Sequence, residues 1–296
     1  MEIRGELNFD RTNSLTVESA INSLSNKYPD LTSPSISEPV FVFSAGWRSG
    51  STLVQRLLMS SDQILIWGEP YGRCGMINHL ARSLTAITND YPDPSWFIDK
   101  LLDADRPISS LSDKWVANLY PEIEHLLAAH LSFFVNHFEV PAASRGMSRW
   151  GIKEVRLTID SAIYLKWLFP RAKFIFLYRN PYNCYSSYKG FYWYNQYPDD
   201  PISTPQRFGQ HWKDLLEGFI AGASKVDSIF LKYEDLCEGN VDFAHLESFL
   251  GLKLNQQVLE NILFSTKKDS LSQDEVRLLS STVEPMAASL GYSYQG

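Results

Sequence analysis

The sequence predicts a three-layer α/β fold: a parallel sheet flanked by helices, with a helical insertion after the second strand. Three observations carry this prediction. The segment VFVFSAGWRSGSTLVQRLL, Val40 to Leu58, joins an apolar β-branched and aromatic run to a Gly/Ser/Thr turn and then to an amphipathic helix. The segment KFIFLYRNPYNCYSSYKGF, Lys173 to Phe191, follows the same plan, with Arg179-Asn180-Pro181 at the turn. Elsewhere, short apolar runs alternate with helix-length amphipathic stretches, the pattern of parallel strands buried on both faces.

In chain order, residues 39–44 are the first strand and 50–60 its helix, and ILIW (64–67) is the second strand. From Met76 to Arg149 the chain carries runs such as PEIEHLLAAHLSFFVNHF, which read as the helical insertion. His79, His130 and His137 fall in its apolar-flanked stretches and read as packing histidines. WGIKEVRL (150–157) is the third strand. Side chains alternate faces along a strand, so Ile152 and Glu154 share one side while Lys153 and Val155 share the other. A helix at 159–169, the strand 173–178 and a helix at 181–190 follow. Pro181 suits a first helical turn, where its missing N–H costs nothing. A helix at about 206–222, a strand at 228–233 and a helix at 242–250 complete the alternation. No internal repeat or low-complexity tract interrupts it. A chain of 296 residues with 44% apolar and 14% aromatic content fills one core, so residues 1–296 read as a single domain.

A formal charge of −7 without a Lys/Arg-rich stripe argues against nucleic acid as a partner. Cys74, Cys184 and Cys237 are scattered and lack metal-ligand spacing, which fits a reducing compartment. The N-terminus has no signal-peptide core, and no apolar run is long enough to span a bilayer. A cytoplasmic protein with no membrane partner is expected.

The turn after the first strand, Arg48-Ser49-Gly50-Ser51-Thr52, is built to cradle phosphate. Backbone N–H groups and hydroxyls surround a helix N-terminus, where the helix dipole favours an anion. It differs from the nucleoside-triphosphatase loop, which needs a lysine directly before the hydroxyl residue; here Gly50 runs straight into Ser51. This P-loop-like turn resembles the 5′-phosphosulfate loop of the sulfotransferases that use 3′-phosphoadenosine 5′-phosphosulfate (PAPS), in which Lys or Arg precedes Ser-Gly-[ST]-[ST]. The second strand-turn-helix unit resembles the same family's 3′-phosphate site. The resemblance gives that task to Arg179, after the strand, and to Ser187, eight positions on.

This resemblance implies transfer of a sulfuryl group from PAPS to a hydroxyl or amine of a small-molecule acceptor, leaving 3′-phosphoadenosine 5′-phosphate (PAP). Such chemistry needs a base, positive charge on the transferring oxygens and in-line alignment, and no metal. Glu69, just past the second strand, is the base candidate. It stands where an α/β sheet places its functional loops, in a Gly-Glu context like that of the tyrosylprotein and bacterial trehalose sulfotransferases. The histidine base of the cytosolic steroid and phenol enzymes, in a K-x-H-L-P context, has no counterpart here. Helix capping or a pair with Arg73 is the structural alternative for Glu69. By the same resemblance Lys153, together with Arg48, supports the leaving group; a bridge to Glu154 or Asp160 is the structural alternative for Lys153. Tyr233, in SIFLKYEDLC, matches a family position near adenine, with Glu234 or Asp235 organising the loop. Lys268, in STKKDSLS, stands where the family often adds a cationic nucleotide contact. The family relationship also makes the insertion, about 76–149, a wall of the acceptor pocket.

The stretch GFYWYNQYPDDP, Gly190 to Pro201, reads either as an aromatic lid with an acidic rim, suited to a cationic or flat acceptor such as a natural product, or as a core-packing cluster. The dimerisation motif of cytosolic relatives, K-x-x-x-T-V-x-x-x-E, is lacking, so a monomer is the default. A small-molecule or nucleotide kinase and a non-catalytic PAPS-binding protein are the competing readings. Magnesium-independent turnover excludes the first, and any sulfuryl transfer excludes the second.

Overall fold

The computed structural model describes residues 16–102, 105–191, 201–260 and 270–294. Strands Val40–Ser44 (β1), Ile64–Gly68 (β2), Arg149–Glu154 (β3), Lys173–Tyr178 (β4) and Ser228–Lys232 (β5) form one parallel sheet in the order β2-β3-β1-β4-β5. The expected α/β class, layering and helical insertion are all present. β1 lies at the centre, and every residue of its VFVFS run is buried. Phe41 packs against the rings of Trp150 (5.7 Å) and Phe174 (5.3 Å) from the strands on either side. Burying side chains of this size contributes about 1.5–3 kcal/mol each. Gly151 sets how closely β3 approaches β1, because a Cβ there would fall 2.0 Å from the Val40 carbonyl oxygen.

The helices fill the two outer layers. Val17–Lys27 (α1) is followed by Ser51–Met59 (α2), Met76–Ser83 (α3), Glu124–Phe134 (α4), Ile159–Leu168 (α5) and Pro181–Tyr188 (α6). Pro205–Gly222 (α7), Tyr233–Glu238 (α8), Phe243–Leu250 (α9) and Gln273–Val283 (α10) come after them. Val40, Val42, Ile64, Ile66, Ile175 and Leu177 pack against Val54, Leu57 and Leu58 of α2 and Leu246 and Leu250 of α9. Phe41, Phe43, Ile152, Phe174 and Phe176 face the larger cluster, which takes in α1, α5, α7 and the insertion.

Four departures from the sequence reading matter for the site. β3 stops at Glu154 rather than 157, and Tyr233 opens α8 rather than closing the last strand. Within the insertion, α4 runs on into a π-helical turn, Val135–Glu139, that the apolar periodicity does not reveal. His130 is the packing histidine expected, with Nδ1 2.7 Å from the Tyr164 hydroxyl and its pKa lowered by desolvation. His79 and His137 are instead exposed, because their flanking apolar residues turn inward while the imidazoles do not. Among the described residues no helix is long and apolar enough to cross a membrane.

The chain leaves β1 toward β2 and leaves β4 toward β5, in opposite directions along the sheet. The carboxyl ends of these neighbouring strands therefore flank a crevice, the usual ligand position in an open α/β sheet.

Candidate active site

The turn after β1 enters the crevice first. Trp47 is buried and stacks on His211 with centroids 4.9 Å apart, which anchors the turn on α7. Arg48 and Gly50 both adopt left-handed backbone, with φ of 63° and 90°. Gly50 is obligatory on two counts. It caps α2 in that conformation, and a Cβ there would lie 2.1 Å from the Tyr233 ring. The five peptide N–H groups from Arg48 to Thr52 donate to no acceptor among the described residues. The hydroxyls of Ser51 and Thr52 are likewise without a hydrogen bond there, whereas buried Ser49 donates to the Gly46 carbonyl at 3.0 Å and braces the turn.

The turn after β4 is arranged differently. Asn180 Oδ1 accepts from the N–H groups of Tyr182 (3.0 Å) and Asn183 (3.5 Å), Pro181 has none, and the Asn180 N–H donates to Glu234 at 3.0 Å. The N-terminus of α6 is thus satisfied by protein, and what remains for a ligand is side chains, Arg179 and Ser187. The Arg179 guanidinium lies 4.2 Å from the centroid of Tyr233, the ring that covers Gly50. Its Nε is buried with no hydrogen-bond partner among the described residues. An unpaired buried guanidinium donor is costly unless an anion completes it.

The two turns meet directly. Arg48 Nε donates to Ser187 Oγ at 2.9 Å, and Arg179 Nη1 donates to the Arg48 carbonyl at 2.9 Å. The Cys184 thiol approaches the same carbonyl at 3.7 Å. These two donors hold the Arg48 peptide in its left-handed conformation. A cradle of unpaired N–H groups and a second cluster with an orphaned cationic donor therefore share one crevice, which fits a ligand with phosphates at both ends.

Glu69 and Lys153 lie at the other side, where β2 and β3 end. The Glu69 N–H donates to the Lys153 carbonyl at 2.7 Å, and Lys153 Nζ reaches Glu69 Oε1 at 2.5 Å. Lys153 is thus paired with Glu69 and not with Glu154 or Asp160. Its side chain is 6% exposed and that of Glu69 35%, so the carboxylate is the accessible half of the pair. Glu69 also has positive φ, 40°. Such backbone is costly for a non-glycine residue and recurs at functional sites.

Glu154 follows the alternation expected of the strand and points to the other face, toward Gly72. Burial pushes its carboxyl up to about 7, helped by the charge of Glu69 and opposed by the Val155 N–H, Lys153 and Arg156. The sequence reading named Glu154 only as a partner for Lys153. The signal for more was a Lys-Glu pair directly after the apolar run Trp150-Gly151-Ile152. Lys268 and residues 192–200 of the aromatic stretch lie outside the described residues.

Residues 39–256 match the model of the sulfotransferase family. The chain belongs to the sulfotransferase family. The match contains both turns, Glu69 and Lys153. No curated protein matches the chain in sequence. Among solved structures, it is similar to the sulfotransferase domain of the Synechococcus PCC 7002 olefin synthase, at 14% identity over 89% of this chain and 99% of that one, with a TM-score of 0.44. A sulfotransferase from Mycobacterium avium is similar at 13% identity over 94% and 86%, with a TM-score of 0.45. A sulfotransferase from Alicyclobacillus acidocaldarius is similar at 15% identity over 88% and 98%, with a TM-score of 0.44.

Proposed function

We propose that this sulfotransferase moves a sulfuryl group from PAPS to a hydroxyl or amine of a small-molecule acceptor, with Glu69 as the base. The observation that supports this best is the contact between Arg48 and Ser187, which joins the two turns into one site for a nucleotide with phosphates at both ends.

In this reading the turn Arg48–Thr52 holds the 5′ end through backbone N–H groups and the hydroxyls of Ser51 and Thr52, with Ser49 as its brace. Arg179 and Ser187 hold the 3′-phosphate, and Tyr233 lies beside the base. The donor supplies an activated sulfuryl group. The protein supplies alignment, a proton acceptor and charge. Glu69 takes the proton of the acceptor. Lys153 and Arg48 stabilise the negative charge that develops on the leaving phosphate. Side-chain cations thus do the electrostatic work, so turnover is expected to be unchanged by a metal chelator.

The test is a screen of acceptors with PAPS, read as a mass gain of one SO₃ group. Glu69→Gln and Lys153→Ala should each lower turnover on the order of 10²-fold or more while PAP still binds. Two variants that turn over like the wild type would overturn the assignment of the base and the leaving-group cation.

A further inference from the structure

We infer that Tyr71 determines acceptor specificity, its ring serving as a fixed platform for an acceptor whose hydroxyl is carried on a flat-faced ring. The inference rests on the proposed role of Glu69 and extends it to the class of acceptor.

Glu69-Pro70-Tyr71-Gly72 is one tight turn, closed by the Gly72 N–H donating to the Glu69 carbonyl at 3.2 Å. Tyr71, like Glu69, has left-handed backbone, with φ of 60°. That conformation is unfavourable for a bulky side chain. The Cys74 N–H (3.1 Å) and thiol (3.2 Å) both donate to the Tyr71 carbonyl and hold it there. The far end is fastened as well, since the hydroxyl is hydrogen-bonded to His137 Nε2. Yet the residue is 41% exposed. It is a large aromatic side chain, tied at both ends and open to solvent, two residues from the base.

His137 is delivered by the π-helical turn Val135–Glu139, an uncommon geometry that recurs at functional sites. Its ring lies 5.4 Å from that of Tyr71 and stacks on Phe133 at 5.7 Å and 19°. Tyr71, His137 and Phe133 thus form a continuous aromatic wall from the insertion to the base-bearing turn. A ring already immobilised gives up little conformational freedom when another ring lies on it. Tyr71 and Glu69 share one four-residue turn, with Cα atoms within about 7 Å of each other, so the platform is carried by the same short segment as the base.

The experiment measures acceptor KM and kcat for phenols, pyranosides and acyclic alcohols of matched size, with PAP affinity measured alongside. Tyr71→Gly removes the ring and relieves the backbone strain, so it retains the fold; Tyr71→Phe keeps the ring and loses the anchor. The wild type should prefer ring-borne hydroxyls. Tyr71→Gly should raise KM for them about three- to tenfold, clearly more than for acyclic acceptors, with PAP affinity unchanged and Tyr71→Phe intermediate. The relative use of phenols and pyranosides tells which ring the wall accepts. Equal use of acyclic alcohols by the wild type overturns the inference, as does undiminished ring preference in Tyr71→Gly. So does failure to sulfate any ring acceptor by a protein that binds PAP. Failure to bind PAP at all sinks the proposed function itself.

Discussion

Gly50 and Tyr233 illustrate how narrowly single residues define the crevice. The missing Cβ of one makes room for the ring of the other, and that ring lies under the Arg179 guanidinium. Gly50→Ala should abolish PAP binding, measured by calorimetry, and lower stability by about 1–3 kcal/mol. Adding Tyr233→Ala should recover part of that stability, because it removes the steric conflict and leaves the φ strain. Glu154 makes a separate prediction. Its carboxyl titrates near 7 in the folded protein against an ordinary 4.5, so the folded state keeps a proton that the unfolded chain has already released. Its contribution to stability is therefore intact below about pH 4.5 and is lost as the pH rises to about 7. Glu154→Gln should flatten that decline and make the protein more stable than wild type at pH 8, on the order of 1–3 kcal/mol. Thermal unfolding of both proteins at pH 5 and pH 8 is the check.

The helices that follow β1 and β4 show what a local pattern does and does not reveal. A strand, a short polar turn and a helix were legible at both places, because a continuous apolar run gives way there to turn residues and then to a helix-length stretch. Which helix N-terminus is open was not. α2 has no side-chain cap, whereas α6 is closed by Asn180 and braced by Glu234, which comes from the start of helix α8, 54 residues later. The C-terminal segment tightens this brace. The Tyr292 hydroxyl donates to Glu234 at 2.8 Å, and Asn180 Nδ2 donates to the Ser293 carbonyl at 3.3 Å. Tyr292→Phe should destabilise the protein by about 1–3 kcal/mol, the usual cost of losing a hydrogen bond to a charged acceptor. It should also weaken PAP binding, since the turn that carries Arg179 loses one of its ties; thermal unfolding and calorimetry measure the two effects. The Glu69–Lys153 pair was half legible. Glu69 stood out by its place just past a strand and Lys153 through the family resemblance, but their partnership depends on β2 and β3 being neighbours, which no local pattern states. The Tyr71–His137 contact was hidden altogether, because a π turn decides where His137 projects.

Over the whole molecule, a formal charge of −7 coexists with Arg48 and Arg179 gathered at one edge of the sheet. An acidic body with a local basic mouth should attract a small polyanion chiefly by speeding encounter. Raising ionic strength from about 0.05 to about 0.5 M should slow PAP association more than it changes dissociation, as seen by stopped-flow.

The order of the strands has a consequence for synthesis. β1 acquires β4 as its neighbour only after more than a hundred intervening residues have been made. A nascent chain that has emerged as far as residue 170 already carries the complete first turn, with nothing opposite it. Nucleotide in the cell cannot rescue such an intermediate, and any chaperoning effect of the ligand has to wait for the second half of translation.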